Sequence, residues 1–598
     1  MDDSRLLQLR ALLKDRGISV YIVPTADDHE SEYVGDYYKE RAFLTGFLGS
    51  AGTAVVTMED AVLFTDGRYF IQAERELAGS GFRLMKMGEP GVPDLKSYVK
   101  DVLPERGTVG FDGRTMNAAD GEAFRKIAEE KGGRIRTDVD LVGEIWLDRP
   151  ERSLSRIHIL QENYTGESAQ SKIARVREKM DELGASVHIL STLDDIAWLL
   201  NIRADDIPHV PVVLSFLMLT DKGCVLYTAS QAVSEDVRSY LAAQGVSIAP
   251  YDDIYKIADM LGSRSVGKIL LNRRKVSYRI VSAVEKCNEI VDRENPTLLM
   301  KAVKNETELE NIRLAHVKDG LAMVRWLYWL KETVGREELT EITASDRLEE
   351  ERRKLEGFVD LSFNTICAYR ENAAMMHYSA KPETAAVLRP EHFLLVDSGG
   401  HYLEGSTDIT RTIALGELTE REKFFFTTVL RCNLNLAAAK FLEGCNGQNL
   451  DILARGPLWE MGLDYKCGTG HGIGYLLNVH EAPNGFRWKT VAERNDSAPF
   501  VPGMVTTDEP GVYIEGELGV RIENELITKY AENNEYGQFM EFETVTLCPI
   551  DLDAVDETLL TDREKRLLNA YHEKVYQELS PYLSYEEQLW LRYQTREV

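Results

Sequence analysis

The stretch HFLLVDSGGHYLEGSTDITRTIAL, residues 392–415, places two acids, Asp397 and Asp408, in apolar, β-branched runs separated by glycines. HFLLVD (His392–Asp397) and TDITRTIAL (Thr407–Leu415) read as strands flanking a Gly-rich turn. Further on, MVTTDEPGVYI and VRIENELIT read as strands that bring Glu509 and Glu523 into similar company, and GTGHGIGY between the two acid pairs carries His471. A charge inside an apolar strand is costly unless it is paired or coordinates a metal.

Four carboxylates in one sheet bring a charge of −4, and like charges a few ångström apart force some of them to stay protonated. Two divalent cations remove that conflict. Oxygen donors with one imidazole suit Mn, Co or Zn better than metals that prefer thiolates, and two such ions roughly 3.5–4 Å apart would share a water that is hydroxide near neutral pH. That is the nucleophile of a hydrolase. Taken singly, each residue is more often a cap, a turn residue or half of an ion pair, whereas five together require five coincidences. Arg521, two before Glu523 and so on the same face, is expected to pair with one of the acids.

Working outward, Thr419 with Glu422 opens a capped helix expected through Phe441, and another helix is expected from Leu450 to Met461. Asn305 with Glu308 caps a helix expected to reach about Glu332 and to open a third domain, 301–598, of α+β type with helices on one face of an antiparallel sheet. Upstream, Arg5 to Arg16 places Leu6, Leu7, Leu9, Leu12 and Leu13 on one helical stripe ahead of the strand ISVYIVP. A helix at Ser171–Leu183 followed by the strand Ala185–Thr192 restarts that programme after a linker-like stretch near 150–170. The first two domains, 1–160 and 161–300, are therefore read as similar α/β units, candidates for duplication of one fold.

At 598 residues the chain far exceeds the roughly 250–300 over which one core grows, so several domains are required. A net charge of −28 repels phosphate backbones and argues against nucleic acid. The longest nearly apolar run, VPVVLSFLML at Val210–Leu219, is half of the roughly 20 residues a spanning helix needs, so no membrane partner is expected. Seven scattered cysteines without CxxC spacing fit reduced thiols, and the amphipathic start lacks an export signal, so cytoplasmic residence is expected. No phosphate-binding Gly-Lys-Ser/Thr loop, HExxH pattern or GxSxG elbow occurs. Trp326, Tyr328 and Trp329 recur at helical spacing and read as core.

DSGGHYLEGSTDITRT, GTGHGIGYLLNVHE, TTDEPGVY and GVRIENE closely resemble the pita-bread metallopeptidases, and among them the aminopeptidase P family. The likeness extends to SEYVGDYYKERAFLTGFLGSAGTAVV and FTDGRYFIQAE in the first domain, LDDIAWLLNIR in the second and FETVTLCPID near the end, as in the three-domain cytosolic form. The resemblance implies two creatinase-like α/β domains ahead of a pita-bread catalytic domain. It implies that Asp397 chelates one metal, His471 and Glu509 hold the other, and Asp408 and Glu523 bridge both, with Mn2+ favoured over Co2+ or Zn2+. Glu509 would be the general base, and His377 in AAMMHYSA and His480 in LNVHE would steady the substrate carbonyl and tetrahedral intermediate.

The implied reaction is release of the first residue from short peptides with proline second, through a hydroxide shared by two divalent metals, in a homodimer whose interface would come from the Tyr-rich first domain or from Tyr582–Trp590. A prolidase-like Xaa-Pro dipeptidase uses the same ligands, and a metal-free scaffold that kept the fold is the remaining alternative. One position departs from the family, which often has His four residues before the metal His. Here it is Cys467, a weak hydrogen-bonding group expected to act as a small apolar filler.

Overall fold

The computed structural model describes residues 4–491 and 494–598. The chain divides into two compact units, Met1–Gln161 with Glu167–Thr297 and Glu162–Gly166 with Leu298–Val598.

In the first unit, helix α1 (Ser4–Arg16) buries Leu6, Leu9 and Leu13, whose spacings of three and four keep them on one side. Leu7, expected on that stripe, is 61% exposed, because it lies about 100° around the helix from Leu6. Strands β1 (Val20–Pro24), β2 (Thr53–Thr57), β3 (Ala61–Thr65), β4 (Arg83–Lys86), β5 (Thr108–Gly110) and β6 (Arg134–Arg136) form a sheet in the order β4-β3-β2-β1-β5-β6. Both faces are covered, one by Leu9, Leu13, Val56 and Leu63, the other by Val20, Val55, Phe111 and Phe124.

After helix α2 (Ala169–Glu182) the pattern repeats in β7 (Val187–Leu190), β8 (Ser215–Thr220), β9 (Cys224–Thr228), β10 (Ser247–Pro250), β11 (Lys268–Leu271) and β12 (Glu289–Asp292), ordered β10-β9-β8-β7-β11-β12. Corresponding pairs have the same sense. β1–β2 and β7–β8 are antiparallel, whereas β1–β5 and β7–β11 are parallel. The helix–strand repeat read from the sequence is thus a repeat of topology. Inside this unit Asp28 is buried, and its Oδ2 accepts from the hydroxyls of Tyr38 (3.3 Å), Tyr251 (3.1 Å) and Tyr255 (3.1 Å), which belong to both halves.

The long helix of the second unit is α3 (Glu306–Thr333), capped by reciprocal bonds between Asn305 and Glu308 as expected. Trp326 of α3 is buried, with its indole N–H on the Ala344 carbonyl of α4 (Glu341–Arg353). Strands β13 (Ile366–Tyr369), β14 (Phe393–Ser398) and β15 (Ile409–Ala414) make an antiparallel sheet. The expected Gly-rich turn between β14 and β15 is instead two short strands, Gly400–Tyr402 and Gly405–Ser406, joined to Phe358–Leu361. Glycine admits the chain there, since a Cβ on Gly399 would sit 1.9 Å from the Thr407 carbonyl oxygen.

Helix α5 (Glu420–Ala437) has the expected Thr419–Glu422 capping box but stops short of Phe441. Lys440–Leu442 forms strand β16, because Phe441 pairs with Met540 across a sheet edge, a long-range partner that local periodicity does not register. Helix α6 (Ile452–Trp459) follows, then β17 (Gly470–Gly472), β18 (Glu481–Phe486), β19 (Val505–Asp508), β20 (Gly511–Ile514), β21 (Leu518–Arg521), β22 (Asn524–Asn534) and β23 (Gly537–Thr544). The main sheet runs β16-β23-β22-β19-β17-β18, while β20 and β21 pair as a ribbon. Aromatics Phe441, Phe486, Phe500 and Phe542 pack with residues of α5 and α6 on this sheet. Among the described residues no helix is long and apolar enough to cross a membrane.

Candidate metal centre

The acids expected in strand interiors sit mostly at strand breaks. Asp397 lies in β14, but Asp408 precedes β15, Glu509 follows β19, and Glu523 falls between β21 and β22. These acids come from the ends of strands in separate sheets, and the interruptions lie where those sheets meet around the site. The freed backbone groups are still used: Asp408 N–H donates to Glu525 (2.7 Å), Glu509 N–H to the Thr469 carbonyl (2.8 Å) and Glu523 N–H to the Thr410 carbonyl (3.1 Å).

Asp408, His471 and Glu523 offer ligand atoms within 4.8 Å of one another. His471 Nε2 is 3.4 Å from Asp408 Oδ2 and 3.6 Å from Glu509 Oε1. Its Nδ1 lies 3.0 Å from the Gly472 carbonyl, which can only accept, so the neutral ring carries its proton there and presents the Nε2 lone pair to the carboxylates. His480 stands edge-on to His471, with centroids 4.3 Å apart. Asp397 Oδ2 accepts from Arg521 Nη2 at 2.5 Å, the pairing expected of Arg521, while its Oδ1 is buried without a hydrogen-bond partner. Met376, beside His377, offers its carbonyl to the same arginine at 3.5 Å.

The electrostatics are those of a pocket short of cations. Burial, then Asp397 and Glu509, pushes Asp408 well above the usual carboxylate range. Burial, then Asp408, Asp397 and Glu509, does the same to Glu523. Acceptors facing acceptors, an orphaned Asp397 oxygen and an imidazole lone pair aimed at them form a donor set that fits hard or borderline divalent ions. Cys467 is half-buried, and burial followed by Glu509 pushes its thiol up to about 11, which keeps it neutral.

Supporting residues escaped the sequence reading. Thr410 Oγ1 donates to Glu523 Oε2 (2.7 Å) and accepts from Arg521 Nε (3.1 Å). Arg411, fully buried, donates to the carbonyls of Thr410 and Glu523. Tyr513 takes Arg521 Nη1 at 2.7 Å. Thr410 and Glu525 lie two residues after Asp408 and Glu523, and shared strand face was a usable signal for both. For Arg411 there was none.

Comparison with known proteins places these features. Residues 5–143 and 148–308 each match the creatinase/prolidase N-terminal domain, 310–529 the metallopeptidase family M24, and 538–598 the C-terminal region of peptidase M24. A probable Xaa-Pro aminopeptidase P of Botryotinia fuckeliana is 38% identical over 99% of this chain and 92% of its own. The crystal structure of X-prolyl aminopeptidase from Caenorhabditis elegans, described as a cytosolic enzyme with a di-nuclear active site, is 32% identical, superposes with a TM-score of 0.94 and covers all of both chains. The Xaa-Pro dipeptidase from Bacillus anthracis, 25% identical with a TM-score of 0.51, spans 99% of its own chain but 64% of this one. With a likeness that runs from end to end and takes in both N-terminal domains as well as the M24 domain, the chain belongs to the Xaa-Pro aminopeptidase P family of M24 metallopeptidases.

Proposed function

We propose that this chain is a metal-dependent aminopeptidase that cleaves the bond between the first residue and a proline in second position of short peptides. The observation that carries the reading is the grouping of Asp408, His471 and Glu523 within 4.8 Å of one another, with Glu509 3.6 Å from His471 and one buried Asp397 oxygen without a hydrogen-bond partner. Asp397 would hold one divalent ion, His471 and Glu509 a second, and Asp408 and Glu523 both, with Mn2+ favoured by the oxygen-rich set and Co2+ or Zn2+ as substitutes. When bound, two such ions neutralise the carboxylates, polarise a carbonyl and acidify water.

The chain's own residues do the rest. Glu509, about one-fifth exposed, reaches the pocket from its mouth and takes a proton from the attacking water, then returns it to the proline nitrogen. His480 beside His471, and His377 beyond the Arg521–Met376 contact, donate to the carbonyl oxygen as charge develops on it. Arg521 keeps Asp397 turned toward the pocket. A Xaa-Pro bond is a tertiary amide without N–H, so the site cannot recognise it through that donor and must fit the ring, while the leaving nitrogen, as in any peptide bond, takes its proton from the base.

The likeness to the cytosolic C. elegans enzyme supports the same compartment, and exposed Tyr582, Tyr585, Leu589 and Tyr593 support a homodimer. Hydrolysis of Ala-Pro against a longer Xaa-Pro-Pro peptide by the Mn2+-loaded protein, with elemental analysis, tests the reading. Cleavage of the longer peptide with metal bound is expected. Cleavage of the dipeptide alone would assign a dipeptidase, and a protein without metal or turnover would overturn both.

A further inference from the structure

Between β13 and β14 the chain leaves the sheet through a 3-10 turn, Arg370–Ala374, and comes back with no further helix or strand apart from isolated bridges at Val387 and Glu391. This excursion carries His377. Its start rests on β21, where a Cβ added to Gly519 would lie 1.9 Å from the Ala373 carbonyl oxygen. His377 occupies the third position of a turn closed by Tyr378 N–H on the Met375 carbonyl at 3.0 Å. The peptide before it is tied to Arg521 through the Met376 carbonyl.

The residue after it is tied to Glu341, the first residue of α4, which is fully buried. Glu341 Oε2 accepts from the Tyr378 hydroxyl and from Ala386 N–H, each at 2.8 Å. Its Oε1 accepts from Tyr369 N–H at 2.7 Å and Asn372 Nδ2 at 2.9 Å. Four donors saturate one carboxylate, and they come from the last residue of β13, the 3-10 turn, the residue next to His377 and the returning leg of the loop. One buried acid therefore closes both ends and the middle of the excursion, at a helix N-terminus whose dipole favours negative charge.

We propose that Glu341 is a positioning residue for His377: its carboxylate, bracketing the turn opposite Arg521, sets where the imidazole points. The inference rests on the proposed role of His377 in the reaction. A carboxylate accepts at all four contacts, whereas an amide must turn its NH2 toward at least one donor that cannot accept, so Glu341→Gln loosens the loop with little change of volume.

The test uses the full-length, Mn2+-loaded protein and four variants: Glu341→Gln, Tyr378→Phe, His377→Ala and the double variant Glu341→Gln/His377→Ala. Glu341→Gln is expected to lower kcat by roughly 10- to 100-fold with KM within about twofold, the signature of a displaced catalytic group, and to leave metal content unchanged. Tyr378→Phe is expected to follow with a smaller loss, and it carries the test if Glu341→Gln fails to fold. Hydrogen exchange across 370–386 should quicken in both. In the His377→Ala background Glu341→Gln should cost nothing further, since both remove one function. Unchanged kcat in Glu341→Gln and Tyr378→Phe, or losses that simply multiply with that of His377→Ala, would overturn the inference alone. Full activity of His377→Ala would overturn the role of His377 and the inference with it.

Discussion

The two units bury carboxylates by opposite means. Asp28 in the first has three tyrosine hydroxyls on one oxygen, and burial pushes it above its ordinary range. Asp408 and Glu523 in the second are displaced in the same direction by burial, but their neighbours are further acids and an imidazole lone pair. The expense of desolvation is common to both. Asp28 meets it chiefly with neutral hydroxyls, while the pocket acids, one Glu523 oxygen on Thr410 apart, face one another and call for protons or cations. The difference marks a site apart from a structural feature without reference to any relative.

Exchanging charge for amide in each place breaks the comparison hardest. Asp408→Asn or Glu523→Gln should lower kcat/KM on a Xaa-Pro-Pro peptide on the order of 10³-fold or more, with loss of bound metal seen by elemental analysis. Asp28→Asn should leave metal content unchanged and cost about 1–3 kcal/mol in denaturant unfolding. Equal metal content in all three would erase the distinction.

Removing the metal sharpens it. Since Asp408 and Glu523 lie above their ordinary values of 3.8 and 4.5, the folded metal-free protein binds more protons than the unfolded chain. That stabilisation is complete below those ordinary values and is lost as pH rises through the raised ones. Chelated protein should therefore melt progressively lower, relative to Mn2+-loaded protein, as pH rises above those ordinary values, and loading should release protons, read by calorimetry in buffers of different ionisation enthalpy. Asp28 contributes alike to both forms, so the difference isolates the pocket. Parallel melting curves would contradict it.

The smallest effect belongs to Cys467, which stands by the acids yet stays neutral. Iodoacetamide at pH 7 should label exposed Cys287 well before Cys467, whose thiol is pushed up to about 11, and Cys467→Ala should keep turnover within about threefold. Rapid labelling of Cys467 by mass spectrometry would place it among the reactive groups.

Much of this arrangement was legible from the chain because its signals are local. Asn305 with Glu308 and Thr419 with Glu422 announce helix starts through side chains three residues apart, and the metal-site candidates stand out as acids among apolar neighbours. What escaped depends on distant partners. Phe441 continues a helical pattern yet pairs with Met540, and Glu341 reads as an ordinary first-turn acid until Tyr378 and Ala386 are folded against it. The strand breaks at Asp408 and Glu523 were hidden for the same reason, since each is set by the chain across from it.

Four alternate positions of one extended segment divide the labour at the pocket: Gly519 makes room for Ala373, Arg521 holds Asp397, Glu523 faces Asp408 and His471, and Glu525 grips the Asp408 amide. Each of these places is exacting by itself, and slippage would fail all four at once. A single inserted or deleted residue upstream of Gly519 would rotate the entire set to the opposite side and offer Val520, Ile522 and Asn524 in its stead, so natural length variation in this lineage should be confined to the loops beyond it.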